Sequence, residues 1–138
     1  MTVRITGTPF NQITPEIQEA LDTALAGTLN LQQGSLAKAN PKDTGRMASS
    51  WFIGHNTRRQ DSRPEDWAEP GAQRLEIEEY SQKITFDGTW YISNNVPYAT
   101  YIAYNYQPAV AKAQKDWFTS IANQTGVVFE RQWRKVKP

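Results

Sequence analysis

The stretch NPKDTGRMASSWFIG, residues 40–54, holds the change from helix to strand on which the fold turns. Asn40 precedes Pro41, and a residue before proline is pushed out of helical conformation, so a preceding helix must stop there. Asp43-Thr44-Gly45-Arg46 then reads as a turn. Asp43 can accept hydrogen bonds from nearby backbone N–H groups, and Gly45 can take a backbone angle closed to other residues. Arg46 can pair with a carboxylate or with backbone carbonyls. ASSWFIG follows, with Trp51, Phe52 and Ile53 in a row, and reads as a short strand. Three readings compete for the turn: a catalytic loop, a phosphate-binding loop, or a structural corner that sets how helix hands over to strand.

Upstream, Thr14 is placed to cap a helix, Pro15 suits its first turn, and Glu16 suits the positive end of its dipole. Ile17, Leu21, Ala24, Leu25 and Thr28 fall on one face at helical spacing, and the helix runs on towards Ala39 despite Gly27 and Gly34. Before it, Val3 and Ile5 alternate with polar residues as in a strand.

Downstream, residues 54–71 are polar, with two prolines and two glycines, and Trp67 is almost their only large apolar group. This predicts a long exposed loop that orders on assembly and is the first site of proteolysis in a free subunit. AQRLEIEEYSQKI fits a helix, with Ala72, Leu75, Glu79 and Tyr80 roughly aligned, and also a strand, with Leu75, Ile77 and Glu79 alternating. The helix is the reading preferred here. Asp87-Gly88 is a turn dipeptide that would close a tight hairpin if 83–86 is extended. TWYIS, 89–93, is rich in strand-forming residues. Asn94 and Asn95 suit a sharp exit from that strand, and Pro97 can start a short helix through Tyr98 to Tyr104. Val110, Ala113, Trp117, Ile121, Gln124 and Val128 predict a long C-terminal helix from about Ala109, kinked near Thr125-Gly126.

The whole is 138 residues, the size of one domain, with no cysteine and a single histidine, His55. Thiolate metal sites, thiol catalysis, disulfides and multi-imidazole metal sites within one chain are therefore excluded. No run is long and apolar enough to span a membrane, and MTVRITGTPF lacks the pattern of a signal peptide, so the expectation is a soluble intracellular protein or a component assembled inside a cell. Net charge is +1, unevenly spread. Residues 42–64 hold five Lys/Arg and two Asp, residues 65–87 two Lys/Arg and seven Asp/Glu, and residues 88–138 six Lys/Arg and two acids. Such blocks suit either solvated faces or complementary subunit contacts.

The chemistry readings are poorly served. His55 lacks a serine or aspartate at a recognisable elbow spacing. Asp61, Glu65, Asp66 and Glu69 match no calcium loop and sit among arginines. DTGR has no Lys-Ser/Thr beside its glycine, so it is no phosphate loop. An aspartic protease also begins its motif with Asp-Thr-Gly, but between apolar strands, whereas a helix precedes it here. Nucleic-acid binding is the fairer competitor. Arg58, Arg59 and Arg63 form one basic cluster, and Arg131, Arg134, Lys135 and Lys137 another, each with tryptophan nearby. The overall pI near 7.9 is not that of a dedicated binder.

A helix followed by PKDTGRMASSW, a variable stretch, GTWYISNNVPYATYIAY and a further helix resembles a family of tailed-bacteriophage proteins, the tail-completion or neck proteins of the head–tail interface. The resemblance covers residues 14 to 125 apart from the loop. It departs at Ile102-Ala103-Tyr104-Asn105, where relatives often carry Glu and Gly, and at Gln107-Pro108-Ala109. It implies a single α+β domain, with a small sheet packed against long N- and C-terminal helices. It implies a non-enzymatic virion protein without metal or cofactor, in a homo-oligomeric ring at the head–tail interface, made in the host cytoplasm, next to portal-proximal and tail-tube proteins. A tail-terminator ring capping the tube is the alternative, and a DNA-contacting accessory protein the alternative of another class. Asp43, Thr44, Gly45 and Arg46 would then form one structural corner, and Asn94, Asn95, Pro97 and Tyr98 a second. Because a ring needs heterologous contacts, Arg58, Arg59, Arg63, Trp67, Arg131, Arg134 and Lys135 are expected at subunit or partner contacts, set against the acidic 65–87 segment.

Overall fold

A computed structural model describes residues 1–7, 14–104 and 116–138. The first helix begins and ends where its caps dictate. Thr14 is extended, its hydroxyl accepts from Ile17 N at 3.3 Å, and Pro15 opens α1 (Pro15–Ala39). Asn40 closes it, donating its N–H to Leu36 O. Leu25, Leu29, Leu36 and Ala37 are fully buried along one side.

The chain then turns through residues 40–47, makes one short 3-10 turn at Ala48–Ser50, and enters β2 (Phe52–His55). The expected strand over 48–54 is thus half turn and half strand, because the Ser50 hydroxyl bonds back to Arg46 O at 2.6 Å and holds the turn. β3 (Gly88–Ser93) is the centre of the sheet. It is flanked antiparallel on one side by β1 (Thr2–Gly7) and on the other by β2, with Val3 and Ile53 both opposite Ile92. Alternation sends Val3, Ile53, Trp90 and Ile92 to the α1 side and Phe52 to the other.

Two expectations are overturned here. Residues 72–84 form no helix; they run without regular secondary structure, tied to the rest of the chain by backbone bonds described below. Asp87-Gly88 closes no local hairpin with 83–86, because β3 takes both its partners from distant chain. Gly88 keeps its left-handed φ of 64°, and the Trp90 indole N–H ties back to the carbonyls of Thr85 and Asp87 at 2.9 and 3.1 Å.

After β3 the chain makes α2 (Ala99–Tyr104), then α3 (Trp117–Asn123) and α4 (Thr125–Val136). The kink expected near Thr125 is real, and it divides the C-terminal segment into two helices. Gln32 of α1 is buried at the break, where its amide donates to Ile121 O and Thr125 Oγ1, both at 2.8 Å. α4 lies chiefly on α1 rather than on the sheet. The expected beginning of that helix, with Val110 and Ala113, lies outside the described residues, as do Asn105 and the stretch Gln107-Pro108-Ala109. The architecture is α+β: a three-stranded antiparallel sheet backed by α1, with α4 on the flank of α1.

Candidate interaction site

The DTGR corner is a docking point for the chain that follows the loop. The Asp43 carboxylate accepts from Gly71 N at 2.6 Å, and its carbonyl from Gln73 N at 2.8 Å. The Thr44 carbonyl accepts from Arg74 N at 2.9 Å, while the Thr44 hydroxyl accepts from Arg46 N at 3.1 Å. Gly45 stands at φ 88° with Arg74 packed directly over it. Just beyond, Ser49 Oγ donates to Arg74 O and accepts from Glu76 N, both at 3.0 Å. From the helix side, the buried Gln33 amide donates to Trp51 O and Glu78 O, both at 2.8 Å. Residues 71–78 therefore satisfy much of their backbone against the corner and α1, which is why they need no helix.

The second motif meets the first. The buried Asn94 side chain donates to Met47 O at 2.8 Å, its oxygen accepts from Val96 N at 3.3 Å, and its N–H reaches Met1 O at 3.1 Å. Asn95 donates its amide to Arg59 O, which also accepts from Ser93 Oγ at 3.3 Å. Arg46 spends its Nε on Arg63 O at 2.8 Å and lies 6.0 Å from the Tyr98 ring centre. Between the motifs lies a groove of about 320 Å³, lined by residues 41–47 with Tyr98 and Ile102. Lys42, on its wall, donates to Lys38 O and Asn40 O at 2.7 and 2.9 Å, and partial burial lowers its pKa. Pro97, Tyr98 and Tyr101 are exposed beside the groove.

The loop after β2 stays exposed over most of its length but is strapped to the sheet at a few points. Arg59 and Arg63 both lie over Phe52, at 4.8 and 5.4 Å, and Arg63 and Arg74 both lie over Trp67, at 4.9 and 3.8 Å. Cations and rings alternate as a ladder across the outer face of β2. Arg63 also donates to Ser49 O at 3.0 Å, and Trp67, only 7% exposed, donates to Arg74 O at 3.0 Å. Arg63 and Trp67, both expected at a partner contact, are thus spent on internal contacts, Arg63 remaining half-buried. Arg59 is half committed: it grips Asp61 at 2.6 Å and Glu78 at 3.3 Å, and those N–H groups hold the Asp61 carboxyl below the usual carboxylate range. Arg58 remains exposed. Proteolysis of the free chain should spare the loop. Trp67→Ala should open it and speed cleavage between 56 and 71 by about tenfold or more, since it removes the ring shared by two guanidinium groups. Equal cleavage of the two proteins would contradict the ladder.

The expected contacts Arg131, Arg134 and Lys135 all lie exposed on α4, away from the corner. His55 is stacked on Trp90 with centroids 3.9 Å apart, and its Nε2 meets Asp87 O at 2.9 Å, so its ring serves the sheet. Among the described residues no group of His, Asp and Glu is arranged to hold a metal ion, and no helix is long and apolar enough to cross a membrane. Sequence reasoning missed Asp22, Gln32 and Gln33, all buried and hydrogen-bonded. Their signal was present: polar residues standing in the apolar stripe of a long helix. No family model, curated protein or solved structure matches the chain.

Proposed function

We propose that the chain is a non-enzymatic structural protein of a tailed-phage virion, one subunit of a ring in the neck that completes the tail or joins it to the head. The observation that carries this reading is how the two motifs are spent. Asp43, Thr44, Gly45 and Asn94 bind backbone of their own chain, and Arg46 gives its Nε to the same use. Such a corner supports architecture, and its two motifs occur in the order and spacing of the neck proteins that the sequence resembles. Asp43 lines the groove, but one of its carboxylate oxygens already holds Gly71 N, and the His55 ring lies with its Nε2 on Asp87 O, so each is used by the fold.

Electron microscopy of lysates from a virus with and without the gene is the test. Filled heads separate from finished tails would support the neck assignment. Abnormally long tails would move the protein to the tail terminator, and normal infectious particles would refute both.

One observation favours a second reading. Arg131, Arg134, Lys135 and Lys137 stay exposed on or beside α4, and a DNA-contacting accessory protein would use them. The arginines after β2 serve it less well, because Arg63 is committed internally. Titration with duplex DNA decides it. Binding through these four cations should fall with a log–log salt slope of about −3 to −4; binding that ignores salt, or is absent, removes the reading.

A further inference from the structure

Two surfaces of the chain set an exposed aliphatic side chain among charges of one sign. On one flank of α1, Leu31 is 47% exposed at the floor of a groove of about 360 Å³, walled by Val128, Arg131, Gln132, Arg134 and Lys135. The wall carries three cations and no acid, and only Arg134 has an ion-pair partner among the described residues, Glu130 at 2.6 Å. A second hollow of about 270 Å³ shares Leu31, Val128 and Arg131, which extends the apolar floor. On the other flank, Ile77 is 39% exposed between Glu76 and the pair Glu78-Glu79. The Glu76 and Glu78 carboxylates each pair with one arginine, while Glu79 has no ion pair among the described residues.

One surface is an aliphatic floor with a cationic rim, and the other an aliphatic knob with an anionic rim. We propose that the groove between α1 and α4 takes Ile77 and its flanking glutamates from a second copy of this chain. A single copy cannot close this contact on itself. Gln33 is bonded to Glu78 O, whereas Leu31 faces α4, and two helical residues apart is a rotation of about 200° around α1. The contact joins unlike faces, so it propagates from copy to copy and ends in a ring where the rotation closes. The proposal rests on the ring part of the neck reading and names the faces that make it.

Leu31→Lys and Ile77→Lys test it on the purified full chain by sedimentation at low and high salt. Both sites are exposed, so both variants should fold, which circular dichroism checks. The wild type should associate in a salt-sensitive manner, and each variant should associate about tenfold more weakly or less. A 1:1 mixture of the two variants keeps one good groove and one good knob, so it should form dimers and nothing larger. A wild type that stays monomeric at low salt, variants that associate normally, or a mixture that grows beyond dimers would each overturn the proposal. Loss of association with normal particles would sink the neck role and spare the contact; the reverse combination would sink the contact and spare the role.

Discussion

Gly45→Ala should cost about 3 kcal/mol or more in urea unfolding, a large share of the roughly 5–15 kcal/mol that keeps a domain folded. Two penalties act together. The backbone stands at φ 88°, where a side chain is strained before any contact is considered. The added Cβ would then fall on the Arg74 carbonyl, 2.6 Å from its carbon. The obstacle is backbone, itself pinned by Arg74 N to Thr44 O and by Ser49 Oγ to Arg74 O, so it cannot swing aside. Relief requires the 71–76 segment to lift off the corner, which also strips Trp67 of its acceptor. The internal control is Gly34→Ala in α1. Nothing lies within 4 Å of a Cβ there, so the helix should gain roughly 0.5–1 kcal/mol. If both glycines behaved alike, the corner would not be the constraint described.

That contrast shows what could be read from the sequence. Thr14-Pro15 and Asn40-Pro41 mark the ends of α1 correctly because capping is local: donor, acceptor and restricted angle lie within a few residues. Gly45 is legible for the same reason. Residues 72–84 are not. Their helical spacing was preferred over their alternation, but neither decides: the conformation is set by Asp43, Thr44, Ser49 and Gln33, about 30 to 45 residues upstream. The hairpin at Asp87-Gly88 fails similarly. The dipeptide does bend the chain, but β3 is claimed by β1 and β2, whose side chains complete its apolar face. Arg63 and Trp67 read as a loop's loose charge and lone aromatic, although each is what the other packs on. Nothing in a local window says that an arginine will be consumed by a carbonyl 14 residues back. The convergence of the two motifs at Met47 was likewise invisible, though both were recognised as turns.

Trp51→Ala should be severely damaging, at about 4 kcal/mol for the lost volume alone. Trp51 is 1% exposed and is the piece shared by three elements. Its ring stacks on Phe118 of α3 with centroids 5.8 Å apart, and meets the edge of Trp117 at 6.2 Å. Its indole N–H donates to Asn40 Oδ1 at 3.0 Å, and Asn40 is the residue that ends α1. Its carbonyl accepts from Gln33, so the ring's position also sets the anchor for Glu78. Removing the ring empties the space between helix end and C-terminal helices and leaves a buried amide oxygen with no donor, a further cost of about 1–3 kcal/mol. Trp51→Phe separates the two terms. It keeps most of the packing and drops the N–H, so it should lose about 1–3 kcal/mol. Unfolding curves for both variants check this, with the near-ultraviolet dichroism of the stacked rings as a second readout. A loss under about 1 kcal/mol for Trp51→Ala would mean that α3 is not held through this residue. A Phe variant as unstable as the Ala one would place the energy in the Asn40 bond and not in the stack. The expected order, Ala far below Phe and Phe modestly below wild type, follows because the cavity involves both α3 rings whereas the hydrogen bond involves one atom of the cap.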